Sequence, residues 1–217
     1  SANKGETQML PGAGGAKRIL LVGCGEMKKF DRKAAREFTQ LVCKVLGSTP
    51  ATDAMLHLAA LGLKQDEASW LLGYLARHLT AASYRYTRTV SKPKPAMRLS
   101  RFVVNTAGSL PTRAAKAALA EGKAIGLGVN EARNLADLPG NICTPSFLAS
   151  NARKLSRSHA KLSVSILEEK KMRELGMGAL LSVSAGSHQA AKLIVMNYKG
   201  GKSSQKPHVF GRQGHHF

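Results

Sequence analysis

Seven histidines, three cysteines and thirteen carboxylates are the groups in this 217-residue chain that could bind a metal or move protons. Their spacing is the first test. His57, His78, His159 and His188 are isolated, with no carboxylate or second histidine four residues on. His208, His215 and His216 lie near the C-terminal end, where neighbouring side chains rarely converge on one ion. Cys24, Cys43 and Cys143 are far apart and form no CxxC pair, which argues for reduced thiols and against a cysteine zinc site or a disulfide scaffold. After Pro139 the acidic residues are Glu168, Glu169 and Glu174, which fit one solvated face of a short helix. Gly23-Cys24-Gly25 follows a strand-like run as a dinucleotide fingerprint would. Lys28 stands where that fingerprint needs its third glycine, so a strand-ending turn is the better reading. Serine and histidine are plentiful, yet nothing has the form of a nucleophile elbow. Residue chemistry alone yields no active site.

Charge is the global oddity. Thirty-three Lys and Arg against thirteen Asp and Glu give +20, with a pI near 10.3. Such a balance permits phosphate neutralisation, whereas 5% aromatics supply few rings for stacking on single strands. Composition alone favours scattered Lys and Arg that keep the chain solvated. Hydrophobic residues at 43% suffice for a core, and no apolar run approaches the roughly 20 residues of a membrane span. No signal peptide is recognised, and the sparse, odd count of cysteines sets the expectation of a cytoplasmic location.

The elements that would position these groups alternate between helix and strand. Residues 1–15 are polar and Gly-rich and read as a loop, and 16–25 as a buried strand. Asp31 can cap a helix over 32–46 with Gly47 as its stop, and Ala34, Phe38, Leu41, Val42 and Val45 form its apolar stripe. Further helices are expected over 51–63 and 66–82. Strands are expected over 84–89 and 101–105, flanking an exposed Ser91–Pro95 turn. A long helix over 112–138 repeats Ala114, Ala118, Gly122 and Gly126 every four residues. Its interior glycines cost about 1 kcal/mol each, which predicts that another backbone approaches closely there. Pro139 and Gly140 end it, Thr144-Pro145 starts a helix to about 156, and 161–167, 168–175 and 191–198 read as strand, helix and strand. The fold class expected is α/β.

Three stretches taken together resemble the leucyl aminopeptidase (cytosol aminopeptidase) family. Asn130–Ala149, NEARNLADLPGNICTPSFLA, is similar to the family's run of Ala-Arg, Leu, Asn-Pro-x-Asn and Thr-Pro, departing from it at 137–141. Leu175–Ser187, LGMGALLSVSAGS, follows the family pattern throughout, with Ala190 and Ala191 replacing the prolines that usually come next. ILLVGCGEMKKFD resembles the middle of the family's N-terminal domain. The resemblance implies an N-terminal α/β domain over 1–111, incomplete at its start, a linking helix over 112–138, and the incomplete start of an α/β metallopeptidase catalytic domain over 139–209. It further implies homohexamers that release N-terminal residues from peptide substrates with two divalent ions, manganese or zinc.

The family's ligands begin with a lysine in a Gly-Lys-Gly-Ile-Thr-Phe-Asp strand that would follow 192–198, with Asp and Glu ligands beyond it. The sequence to Phe217 holds no such lysine or carboxylates, so the expectation is a truncated form that binds neither ion and is catalytically inactive, with no catalytic or metal residue carried over. Residues 210–217 are expected to be an out-of-frame tail. Arg212–Phe217 can be encoded as AGG CAA GGG CAT CAC TTT, which without its first base reads Gly-Lys-Gly-Ile-Thr. The alternative function is a DNA-binding accessory role, as in some bacterial members of the family. Its candidate contacts are Arg85, Arg88, Lys92, Lys94 and Arg98 around the exposed turn. The apolar strands after Pro139 are expected to present bare faces and pairing edges.

Overall fold

The computed structural model describes residues 3–93 and 95–211. The chain divides into two compact units, Ser1–Asn134 and Leu135–Phe217.

The first unit opens with β1 (Thr7–Pro11) and β2 (Arg18–Val22), paired antiparallel from Thr7↔Val22 to Pro11↔Arg18. The glycines that make 1–15 look like a loop instead build a hairpin. Gly14 and Gly15 take φ +60° and +89°, a backbone that side chains disfavour, and the Gly12 N–H donates to the Lys17 carbonyl at 3.1 Å. β2 has one neighbouring strand among the described residues, and Leu21 is 46% exposed rather than buried.

Helix α1 (Arg32–Ser48) starts as the sequence predicts, with Asp31 Oδ1 accepting from the Ala34 N–H at 2.8 Å. That bond to backbone N–H holds the Asp31 carboxyl below its usual range. Gly47 does not stop the helix, which runs one residue past it. Ala34, Phe38 and Val42 are buried as expected.

The predicted helix over 51–63 is a strand, β3 (Asp53–His57), followed by a 3-10 turn, Leu58–Leu61. Alternation decides this. Ala54 and Leu56 face the core while Asp53, Met55 and His57 are exposed, and parallel pairing with β4 (Arg101–Asn105) supplies hydrogen bonds that isolated propensity does not foresee. Helix α2 (Gln65–Ala82) lies between the two strands in sequence, as a parallel crossover requires. Residues 84–89 form no strand. The segment is held by Arg85 and by a Tyr86–Thr89 hydroxyl contact at 2.8 Å, and β4, which a hairpin would have paired with it, pairs with β3 instead.

Helix α3 (Thr112–Asp137) matches its predicted span to within one residue. Ala115, Ala118, Gly122 and Gly126 are its buried positions, and the small stripe does admit a backbone. A side chain at Gly122 would overlap the Gly73 peptide of α2, and one at Gly126 would come within 2.7 Å of the Arg77 carbonyl. Phe38, Val42 and Leu46 of α1, Leu58 and Leu61 of the 3-10 turn, and Leu71, Leu72 and Leu75 of α2 form the core, with Leu110, Ala115 and Ala118 beside them. Phe102 and Val104 of β4 pack on it, opposite Ala54 and Leu56 of β3.

The second unit carries α4 (Pro145–Ser158), capped by Thr144 Oγ1 accepting from the Phe147 N–H at 3.2 Å with proline at the first position. β5 (Leu162–Glu168) and β6 (Lys192–Tyr198) pair antiparallel from Leu162↔Tyr198 to Glu168↔Lys192, and α4 packs across both. Between them come α5 (Glu169–Glu174), which ends before Gly176 at φ +71°, and α6 (Gly178–Ser184), which the sequence reading missed. As expected of this ribbon, Val195, Met196 and Tyr198 stand 44%, 48% and 68% exposed, and each strand has one neighbour among the described residues. The tail reading falls mainly on 212–217, outside the described residues; Phe210 before it is exposed.

Candidate functional site

The basic segment after α2 is the site predicted from charge, and the structure gives its members different roles. Arg85 is half-buried and donates from Nε to the Pro95 carbonyl at 2.9 Å, and from Nη1 to the carbonyls of Tyr84 at 2.7 Å and Ala82 at 3.3 Å. Its guanidinium fastens the loop to the end of α2. Arg88, Lys92 and Arg98 are exposed, and Lys94 lies outside the described residues.

Two residues from the stretch 130–149 join Arg85 at that helix end. Asn130 Nδ2 donates to the Thr80 carbonyl at 2.8 Å, and Arg133 Nη1 to the Ala81 carbonyl at 3.1 Å. The last turn of α2 has no basic residue of its own, so its open carbonyls are met from α3 and from the loop. Spacing alone does not reveal this. An Asn and an Arg three residues apart share a helix face, but the partner carbonyls lie some fifty residues away.

The thiols are quiet. Burial pushes the Cys43 thiol up to about 11 and raises those of Cys24 and Cys143 as well. Cys24 Sγ points back at the Val22 carbonyl, 3.6 Å away, in a cleft of about 430 Å³ that also contains the Lys4–Glu37 ion pair at 2.7 Å. Gly23-Cys24-Gly25 is the strand-ending turn expected; α1 begins seven positions after Gly25. At pH 8, a pKa near 11 leaves roughly one Cys43 in a thousand as thiolate. Iodoacetamide should therefore label Cys143 well before Cys43 in folded protein, an order that mass mapping of a time course reads directly and that denaturation should abolish.

A pair of divalent cations requires converging carboxylates or imidazoles, and the described residues hold no group of three His, Cys, Asp or Glu able to take an ion. The second unit's glutamates are engaged elsewhere: Glu168 with Lys192, Glu169 with Arg173 at 3.2 Å and with the Ala191 N–H at 2.8 Å, and Glu174 with Lys171 at 3.0 Å. This donor set does not fit a two-metal site.

Residues 1–93 match the cytosol aminopeptidase family's N-terminal domain, and residues 130–214 match the catalytic domain of the same family. Together these account for more than half of the chain, in the family's own order. The chain belongs to the cytosol aminopeptidase family. A probable cytosol aminopeptidase of Alkalilimnicola ehrlichii is 35% identical over 98% of this chain and 44% of its own length. One from Nitrosomonas europaea is 39% identical over 93% of this chain and 41% of its own. Among solved structures, a tomato leucine aminopeptidase mutant shares the fold, with TM-score 0.76, 24% identity, and coverage of 94% of this chain and 40% of that one. The bottromycin maturation enzyme BotP, solved in complex with Mn, gives TM-score 0.70 at 26% identity over 89% and 39%. This chain thus spans about two-fifths of the length of the relatives it matches. Its described helices include none long and apolar enough to cross a membrane.

Proposed function

We propose that these residues are the N-terminal domain, linking helix and opening of the catalytic domain of a metal-dependent aminopeptidase that releases N-terminal residues from peptides, and that the 217-residue polypeptide by itself does not hydrolyse them. The observation that carries this reading is a pairing. The family match runs through both domains, while each glutamate of the second unit is engaged by a cation or a backbone N–H and none of them converges on an open site.

Peptide hydrolysis by this family's chemistry needs a polarised carbonyl and an activated water, which two bound cations supply. Here the protein's own groups offer neither. The thiols sit above the range of useful nucleophiles, and the carboxylates serve to fix α5 and the Glu168–Lys192 end of the β5–β6 ribbon. The chemistry left to these residues is structural: packing α2 against α3, and presenting the ribbon.

Purified polypeptide supplied with manganese or zinc should release no leucine from leucine amide above the rate of a buffer control. Calorimetry with either ion should show no tight binding. Turnover that co-purifies with the 217-residue species through successive columns would overturn the proposal, as would two tightly held ions per chain.

A further inference from the structure

The β5–β6 ribbon is a layer of two strands. Each strand has one neighbour among the described residues, so each keeps an edge open to strand addition. The register puts Tyr198 beside Leu162 and Met196 beside Val164, and the two-residue spacing places all four on one face. Leu162 and Val164 are half-buried, whereas Met196 and Tyr198 are 48% and 68% exposed. Along β6 the change is abrupt, from half-buried over Lys192–Ile194 to exposed over Val195–Tyr198. Beyond the strand, Val209 and Phe210 are almost wholly exposed. An apolar face beside an open strand edge is a surface that requires a cover.

Charge selects the occupant. From 138 to 211 the sequence has eleven Lys and Arg against three carboxylates, Glu168, Glu169 and Glu174. Each of the three already meets a cation: Lys192, Arg173 and Lys171 in turn. A second copy of this region would bring the same positive excess and no unengaged glutamate, so self-association on this face is opposed. The cover that fits is apolar, forms strands and brings acidic groups. The relatives possess a polypeptide of that description. The match to the family's catalytic domain ends at residue 214, and this chain accounts for 44% and 41% of the probable cytosol aminopeptidases of Alkalilimnicola ehrlichii and Nitrosomonas europaea. A metal-dependent aminopeptidase needs carboxylates or imidazoles for its cations, and the described residues hold no such group, so the remainder has to carry them.

We propose that the open face and edges of the β5–β6 ribbon are a docking surface for the remaining part of a cytosol aminopeptidase catalytic domain, offered as a separate polypeptide. Met196 and Tyr198 are the anchors that the partner buries, and the open strand edges take its backbone. The inference rests on the aminopeptidase function proposed above and deepens it by naming the partner.

The probe is the segment of the Nitrosomonas europaea protein that follows its match to this chain, co-expressed with the affinity-tagged 217-residue polypeptide and identified in the eluate by mass. It should elute with the tagged chain in equal amounts. The double variant Met196→Lys, Tyr198→Lys charges the face at positions already open to water, and should recover less than about a tenth as much partner. A control at comparably exposed apolar positions of α3, Ile125→Lys with Leu127→Lys, should recover more than about half. Circular dichroism of each variant purified alone excludes unfolding as the cause. Hydrogen exchange needs no variant: in the complex, β5 and β6 should slow about tenfold or more while α1 is unchanged. A partner absent from the eluate would overturn the surface, as would equal recoveries with the two double variants or unchanged exchange in β6. So would a dimer of the 217-residue chain that persists beside the partner and dissociates on Met196→Lys, Tyr198→Lys, because a second copy would then be the occupant. Hydrolysis of leucine amide with manganese is scored apart from association. A stable complex without turnover counts against the aminopeptidase function and leaves the surface standing, whereas failure to associate removes the surface and leaves that function standing.

Discussion

Gly122→Ala should destabilise the first unit by about 3 kcal/mol, although the same change in an exposed helix is favourable by about 1 kcal/mol. The reversal comes from what the new methyl would meet. At Gly122 it overlaps the Gly73 peptide of α2, 2.8 Å from the carbonyl carbon and 3.0 Å from the Ala76 Cβ. Backbone inside a helix cannot rotate away as a side-chain tip can, so α2 and α3 must separate along the seam that buries Leu71, Leu75, Ala115 and Ala118. Gly128, two positions beyond Gly126 on the same helix, has nothing within 4 Å of its absent Cβ. Gly128→Ala should therefore stabilise, by up to about 1 kcal/mol. Urea unfolding of the two variants, followed by circular dichroism, gives shifts of opposite sign. A Gly122→Ala protein as stable as the parent would mean that the small stripe is not a helix–helix contact.

That stripe was legible because its signal is local and periodic: two glycines in register in a long helix make sense only if something lies against them. The Asp31 and Thr144 caps were legible for the same reason, each needing only a side-chain oxygen three residues before a free N–H. The misreadings share the opposite property. β3 is five residues long and follows a proline and a small-residue turn, and its strand character comes from β4, some fifty residues away. Residues 84–89 have strand composition, yet their would-be partner is taken by β3. The first hairpin hid behind glycines whose positive φ makes them turn formers and which composition marks only as loop.

Histidine and cysteine spacing offered no metal cluster in the sequence, and the one site it marked was a basic segment. Charge marked the 85–98 segment, but composition counts a guanidinium without telling whether it faces solvent or three carbonyls.

The largest effect expected in the second unit is from Met172→Ala. The first unit shares its burial among many leucines, whereas the second has Leu138, Ala149, Ala152 and Met172 as its buried apolar residues among those described. Met172, at 0% exposure, is the one large side chain of that set fully removed from water. Truncating a buried methionine costs about 2–5 kcal/mol through lost transfer energy and the cavity left behind. A small unit with so little buried surface has about that much stability to lose. The variant should therefore melt the second unit while the first retains its helices. Protection from hydrogen exchange should collapse across α4, β5 and β6 and persist in α1 and α2. Uniform loss of protection through both units would show that they fold as a single cooperative body. A Met172→Ala protein with protection unchanged in β5 would show that the ribbon is held by something other than the packing beneath it.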